Sequence, residues 1–463
     1  MIEIQSRREQ KIALFGLGAS GLATAHALSA SGANVLAWDD NDDQRSAAQN
    51  DSISLCDLNA QDFTELDALI LAPGVPLTHK PHPIAQKAKA ANCPILGDIE
   101  LLIESCPTTQ FIGITGTNGK STTTALIGHM LATAGIKSQI GGNLGPPALG
   151  FEMPAKDEVI VLELSSYQLD LTQDATFDIA VFLNVSADHL DRHGDMDGYI
   201  KAKRRIFRDK VNPIGPQIAI IGVDDDNGRS LHQEFSQRSG WKAIAIAMSD
   251  TLDDGFYANN GILYEAIAGN SKAICDLSHS NNLPGDHNWQ NAAAAAAVGH
   301  VLELSGNKIA QAIKSYPGLP HRTENLGSIK GVTFVNDSKA TNGEAAARAL
   351  ACYKNIFWIA GGRAKDNGLA VIRPFLPNIQ HTFLIGEAGP AFEAELAGAV
   401  PVTQCEDLKT ATKEAFRVAI DHGTNPKTVL LSPACASFDQ WKNFEARGDA
   451  FKSFVTDLAE VNQ

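Results

Sequence analysis

Apolar and polar positions along this chain follow two rhythms. Short apolar runs close at glycine-rich or polar turns, and stretches with an apolar residue every three or four positions follow them. That alternation predicts strands and helices of α/β type throughout. The first third opens with a strand at Ile12 to Phe15, the turn Gly16-Leu-Gly-Ala-Ser-Gly21, an alanine-rich helix to about Ser31 and a strand at Asn34 to Trp38 that ends at Asp39. A strand at Ala68 to Leu71 meets the turn Ala72-Pro-Gly74, and a helical stretch near Ile84 to Ala91 leads to a boundary near Asp98. The middle third holds a strand running into Thr115, a helix from Lys120 to about Gly135, and apolar strands at Val159 to Leu162, Ile179 to Leu183 and Ile218 to Ile221. Helices beginning at Asn288 and around Ile309 to Tyr316 precede the turn-rich Pro317-Gly-Leu-Pro320, a second boundary. Strands near Thr333 to Asn336, Ile356 to Ala360, Thr382 to Ile385 and Thr428 to Leu431 fill the last third. Three domains are expected, at 1–98, 99–318 and 319–463.

Candidate chemistry begins where the strand Phe111 to Thr115 turns through Gly116-Thr-Asn-Gly119 into a helix opened by Lys120 and Ser121. Backbone N–H groups of such a turn cradle a polyphosphate, the lysine reaches its outer phosphates, and the serine hydroxyl suits Mg²⁺. The common G-x-x-x-x-G-K-S/T pattern is not met, because Ile114 stands at its first glycine; the narrower TGTNGKST is present instead. A second glycine turn, Gly16 to Gly21 with Asp39 about twenty residues on, matches a dinucleotide fingerprint. That keeps an NAD-dependent oxidoreductase in view, although such an enzyme has no use for the loop at Gly116.

Composition narrows the field. The chain has 463 residues, 44% hydrophobic and 20% charged, with a formal charge of -15 that argues against nucleic acid as a partner. Seven scattered cysteines with no C-x-x-C pair predict neither disulfides nor structural zinc and fit a reducing cytoplasm. The first residues lack a signal peptide's apolar core, and no run approaches a membrane span.

Several polar groups fall at strand ends, where parallel sheets collect their sites. Glu163 follows Val159 to Leu162 and could hold Mg²⁺. His189 lies in Asn184-Val-Ser-Ala-Asp-His-Leu-Asp-Arg-His193, after the next strand. In an expected helix from Met196 to Asp209, Lys203 sits mid-stripe among Tyr199, Ile200, Ile206 and Phe207. It either snorkels to water or is desolvated until its amine is neutral. Asp224-Asp-Asp226 reads as a solvated loop rather than a cation site, and Cys435 as a packed thiol. Asn336 to Asn342, Ala360 to Lys365 and Ser432 to Phe444 bring Arg, Lys and hydroxyl groups to three further strand ends, with Arg322 after a Pro-bounded turn, which suits an anionic substrate.

In kind and order, TGTNGKST, GGNLG at Gly141 to Gly145, ELSSYQLD at Glu163 to Asp170, NVSADHLDRH, LPHR at Leu319 to Arg322, NDSKATN and SPACASFDQWKNFEARG resemble the Mur ligase family over nearly the whole chain. The last run is similar to that of the members that add D-glutamate. The resemblance implies a Rossmann-like N-terminal domain for the UDP moiety, a central P-loop ATPase-type parallel-sheet domain and a C-terminal Rossmann-like α/β domain for the amino acid. It also implies ATP-dependent ligation of D-glutamate to UDP-N-acetylmuramoyl-L-alanine through an acyl phosphate, in peptidoglycan precursor synthesis, by a monomer.

Carried over by motif, Gly116, Thr117, Asn118, Gly119, Lys120, Ser121 and Thr122 would bind ATP, with Asn288, Asn291, Arg322 and Asp337. Ser121 and Glu163 would hold one Mg²⁺; His189 and a carbamylated Lys203 would support a second. Asn143, Ser165 and Gln168 would lie along the muramoyl-alanine arm, with Ala19, Ser20 and Asp39 toward the nucleotide. Lys339, Thr341, Lys365, Ser437 and Phe444 would surround D-glutamate. Asp40, Asn41 and Ala72 depart from the family's pattern, where a hydroxyl, a basic residue and a serine suit a nucleotide better. Three alternatives stay open. One is a related ligase such as the L-alanine-adding kind, for which a histidine in place of Asn118 is expected; the others are the NAD-dependent enzyme and a non-catalytic nucleotide-binding regulator.

Overall fold

The computed structural model describes residues 1–211, 213, 215–248, 250–278, 280, 282–364 and 368–462. Its strands form three sheets. The first is fully parallel, in the order Asn34–Trp38, Lys11–Phe15, Ala68–Leu71, Ile95–Leu96. Its inner strands are apolar at almost every position because helices cover both faces. Helix Ala19–Ala30 begins at Gly18, which offers no side-chain cap, so its first turn looks out over the strand ends.

The second sheet has nine strands. Gln110–Thr115 lies between Ile179–Phe182 and Val159–Glu163, all parallel, with Ser138–Gly142 at the edge beyond. On the other side come Gln217–Gly222 and Trp241–Ala247, then Gly255–Asn259, Ile262–Ile267 and Asn270–Asp276, which meander antiparallel. Three neighbouring strands thus end side by side at Thr115, Glu163 and Phe182, the positions from which the candidate residues spring. These two sheets belong to one compact unit, Met1–Leu277 with Asp286–Tyr316. The other unit, Ser278–Gly285 with Pro317–Gln463, carries the third sheet. Its order is Glu324–Ile329, Val332–Asn336, Lys427–Leu431, Ile356–Gly361, Ile379–Ile385, Val402–Gln404, parallel except for the first strand.

The structure departs from the sequence reading in a few places. Glu163 is the last residue of its strand rather than the one after it. The helix expected from Met196 to Asp209 is α-helical only to Arg204 and tightens into a 3-10 turn over Arg205–Phe207, a common way for a helix to end. Ile206 and Phe207 stay buried all the same, so the apolar stripe survives the change of pitch. Asp224 and Asp225 are not a solvated loop: both are partly buried and accept hydrogen bonds, Asp225 as the cap of helix Asp226–Gln237. Among the described residues no helix is long and apolar enough to cross a membrane.

Candidate active site

The phosphate loop takes its shape from two glycines and one asparagine. Gly119 stands at φ 85° just before helix Lys120–Ala134, and a Cβ there would collide with the Asn291 carboxamide, so any other residue would be both strained and crowded. Asn184, two residues past strand Ile179–Phe182, clasps the loop. Its main-chain oxygen accepts from Thr117 N–H at 2.9 Å, its Oδ1 from Asn118 N–H at 2.9 Å, and its Nδ2 donates to Asn118 O at 3.3 Å. The Lys120 ammonium folds back onto the carbonyls of Gly116 and Thr117, at 2.8 and 2.9 Å. Ser121 and Thr122 are buried in the first helical turn, and Thr123 Oγ1 donates to Asn291 Oδ1 at 3.1 Å, with Asn291 Nδ2 donating to Asn288 Oδ1 at 2.9 Å.

Glu163 lies at the neighbouring strand end, 2% exposed. Its Oε1 accepts from Asn143 Nδ2 at 2.7 Å, while Oε2 is buried with no hydrogen-bond partner. A buried carboxylate oxygen without a donor costs a few kcal/mol unless something cationic meets it. Glu163 therefore fits a cation such as Mg²⁺. Among the described residues no three His, Cys, Asp or Glu side chains gather as a metal cluster.

Lys203 is 1% exposed. Its Nζ donates to Gly116 O at 2.8 Å and lies 4.7 Å from the centre of the Tyr199 ring. Burial above all, then the nearby Lys120 charge, brings its pKa down from 10.5 to about 6. The structure thus rules out a lysine that snorkels to water and leaves one that is neutral at ordinary pH. Tyr199, which the sequence gives only as a member of the stripe, also shares a hydrogen bond of 3.1 Å with Thr117 Oγ1. Burial pushes its phenol up to about 12, so it stays protonated.

His189 adopts a left-handed backbone, φ 53°, at the start of Leu190–His193. Its Nδ1 lies 3.1 Å from Tyr167 OH, and its ring is half exposed. Three residues on, Arg192 is buried across the Tyr167 ring at 5.0 Å, and its Nη2 donates to Val75 O at 2.8 Å. The segment Asn184 to Arg192 is therefore tied at one end to the phosphate loop and at the other to the turn after Ala72.

That turn helps line a cavity of about 590 Å³, together with Ala19, Ser20, Asp39, Asn143 and Gln168. The candidate nucleotide-side and muramoyl-side residues other than Ser165 thus face one space. Asp39 spends both oxygens on backbone, accepting from Leu17 and Asn41 N–H at 2.7 and 2.8 Å, so it shapes the cavity wall. Ser165 and Gln168 form a capping box for helix Ser166–Leu171, a structural duty the S-x-x-Q spacing signals and the sequence reading passed over.

In the other unit, Arg322, Asp337, Lys339, Thr341 and Phe444 gather around the ends of Val332–Asn336 and Lys427–Leu431. Asp337 is buried, accepts from Ser432 Oγ and Thr323 N–H at 2.7 and 3.0 Å, and is pushed up by burial to about 7. Lys339 Nζ lies 5.8 Å from the Phe444 ring centre, and Ser437 is buried nearby in sequence. Arg447, which the sequence reading quotes within a motif but gives no role, is 1% exposed and donates to Ser338 Oγ, Ser338 O and Cys435 O, which fastens the two motif-bearing turns to each other. Cys435 is buried and its thiol pushed up to about 12, the packed thiol expected. Lys365 lies outside the described residues.

Two family models match the chain, the Mur ligase middle domain over residues 114–299 and the Mur ligase MurD-like N-terminal domain over residues 10–97. A UDP-N-acetylmuramoylalanine--D-glutamate ligase of Rhodospirillum rubrum is 45% identical, over 100% of this chain and 97% of the relative. One of Paramagnetospirillum magneticum is 45% identical over 98% of each. Among solved structures, UDP-N-acetylmuramate-alanine ligase MurC of Thermotoga maritima aligns with a TM-score of 0.57 at 16% identity, covering 97% of this chain and 100% of that one. MurF of Acinetobacter baumannii aligns at 0.55 and 17%, covering 86% and 93%; both likenesses concern the fold.

Proposed function

The chain belongs to the Mur ligase family, and on that premise we propose that it joins D-glutamate to UDP-N-acetylmuramoyl-L-alanine with hydrolysis of ATP to ADP and phosphate, in peptidoglycan precursor synthesis. The observation that carries the chemistry is the buried, partnerless Glu163 Oε2 beside a phosphate loop. A carboxylate left so beside a polyphosphate cradle has a metal-nucleotide as its natural complement. The choice of amino acid rests on whole-length identity with relatives named for D-glutamate.

In the first step, an oxygen of the substrate's alanyl carboxylate attacks the γ-phosphorus of ATP, and the bond to the bridging oxygen breaks to release ADP. Backbone N–H groups of Gly116 to Gly119 and the Lys120 ammonium offset charge on the transferring group. Ser121 and Glu163 would hold one Mg²⁺, and His189 and Lys203 would support a second; such ions would supply further charge neutralisation. In the second step, the neutral amine of D-glutamate attacks the acyl carbon, and the tetrahedral intermediate expels phosphate and loses a proton to give the amide. Lys203 is assigned as a carbamate: its neutral Nζ attacks the carbon of CO₂, one C=O pair moves onto oxygen, and a proton leaves.

Asn143, Ser165 and Gln168 are assigned to the muramoyl-alanine arm, and Ala19, Ser20 and Asp39 to the walls of the nucleotide-sugar cavity. Asn288, Asn291, Arg322 and Asp337 are assigned to ATP, and Lys339, Thr341, Lys365, Ser437 and Phe444 to D-glutamate. Domains at 1–98, 99–318 and 319–463, one per sheet, accompany this reading, as do a monomeric state and a reducing cytoplasm, which suits scattered cysteines with no C-x-x-C pair.

The test is phosphate release from ATP with Mg²⁺ and UDP-N-acetylmuramoyl-L-alanine, comparing D-glutamate with L-glutamate, L-alanine and no amino acid. Turnover that requires D-glutamate is expected. Turnover with another amino acid instead would overturn the specificity, and none with any of them would overturn the reaction.

A further inference from the structure

The acidic run after strand Gln217–Gly222 has a use that no motif announces. Asp224 is the far end of a continuous line of hydrogen bonds that reaches the phosphate loop. Its Oδ1 accepts from Met248 N–H at 2.9 Å, and its Oδ2 accepts from Gln290 Nε2 at 2.5 Å. Gln290, 5% exposed on helix His287–Val301, accepts through Oε1 from Asn184 Nδ2 at 2.8 Å. Asn184 Oδ1 in turn accepts from Asn118 N–H at 2.9 Å.

The direction of each carboxamide in this line is fixed from both ends. A backbone N–H at Asn118 can only donate, so the Asn184 atom facing it must be oxygen, and its nitrogen must face Gln290. An ionised carboxylate at Asp224 can only accept, so the Gln290 atom facing it must be nitrogen, and its oxygen must face Asn184. The two constraints agree, and nothing else in the line has to choose. Converting the carboxylate to a carboxamide breaks the agreement. Met248 N–H keeps the amide oxygen on its own side, a nitrogen then faces Gln290, and relief requires both carboxamides to turn over. That would aim the Asn184 nitrogen at the Asn118 N–H, donor against donor.

We propose that Asp224 and Gln290 are positioning residues for the phosphate loop, with the Asp224 carboxylate setting, through Gln290 and Asn184, the orientation that holds the Asn118 peptide ready for phosphate. Neither touches nucleotide; each acts through the next residue in the line. The inference rests on the ATP-dependent reading of this loop, though not on which amino acid is ligated.

The test is a pair of variants, with Mg-ATP affinity measured by titration calorimetry on the whole chain and KM for each substrate measured by phosphate release. Asp224→Asn should weaken ATP binding by about tenfold, the effect of a misdirected buried hydrogen bond, with the KM of UDP-N-acetylmuramoyl-L-alanine unchanged. Adding Gln290→Glu to Asp224→Asn restores the alternation, because the new carboxylate accepts from the new carboxamide on one side and from Asn184 on the other. The double variant should regain ATP affinity to within about threefold of the parent. Wild-type affinity in Asp224→Asn, or a double variant as weak as the single one, would overturn the proposal, and loss of affinity for all substrates alike would reduce Asp224 to a stability residue. Failure of the proposed reaction would show separately, as wild-type protein that binds ATP without D-glutamate-dependent turnover.

Discussion

The carbamate proposed for Lys203 should lose its carbon dioxide as the pH falls through about 6, and activity should fall with it. Burial and the Lys120 charge bring this amine from 10.5 down to about 6, so the folded protein keeps it neutral above the lowered value and protonates it only below. At about pH 7.5 the neutral fraction is then ~97%, against ~0.1% for an ordinary lysine, an advantage of roughly a thousandfold in the form that attacks CO₂. Carbamate formation also releases a proton, so raising CO₂ should push the midpoint of loss below its value at low CO₂. The assay is carbon NMR with ¹³C-labelled CO₂, comparing the parent with Lys203→Arg, alongside phosphate release over the same pH series. One carbamate signal is expected above neutrality, absent from the variant, and its loss on acidification should track activity. A signal that survives in Lys203→Arg, or one that appears only near the titration range of a free lysine, would refute the reasoning.

Glu163→Gln keeps the side-chain shape but aims an N–H or a weaker acceptor where Oε2 lies. It should cut kcat by roughly a hundredfold and raise the Mg²⁺ concentration needed for half activity, read from phosphate release. Asp337, raised by burial to about 7 from 3.8, binds its proton more tightly folded than unfolded. The stability it contributes is full below about 3.8 and is lost as pH rises toward 7, so Asp337→Asn should flatten that decline, which thermal melting between those values would show.

The phosphate loop was legible because its own chain lies within eight consecutive residues, Thr115 to Thr122, whereas the Asn184 clasp that shapes it from 66 positions away was not. The placement of Glu163 at a strand end was legible because the apolar run before it marks that end, and the polar segment carrying His189 follows the next such run. Lys203 was half legible: the stripe showed its face, but only packing against Gly116 O and Tyr199 separates a desolvated amine from a snorkelling one. The Asp224, Gln290 and Asn184 line was invisible, since its members lie 66 and 106 positions apart and each alone looks like an ordinary polar residue. The hairpin strands Ile262–Ile267 and Asn270–Asp276 escaped because their exposed edge dilutes the apolar pattern. The sequence also seemed to lack a basic residue after Asp39. Arg45 supplies one a helical turn later, with its guanidinium 4.6 Å from the centre of the Trp38 ring and its Nη1 donating to Asp39 O at 2.6 Å.

The span from Asn184 to Arg192 has no free end. One terminus is knotted into the phosphate loop by three hydrogen bonds, and the other is pinned by a buried guanidinium to the Val75 carbonyl in the cavity wall. Such a span works as a strut, with His189 as its elbow, already bent into a left-handed turn. A strut transmits displacement in both directions, so a residue exchanged at Val75 should be felt at the elbow, and a loop shifted at Asn118 should be felt at the cavity wall.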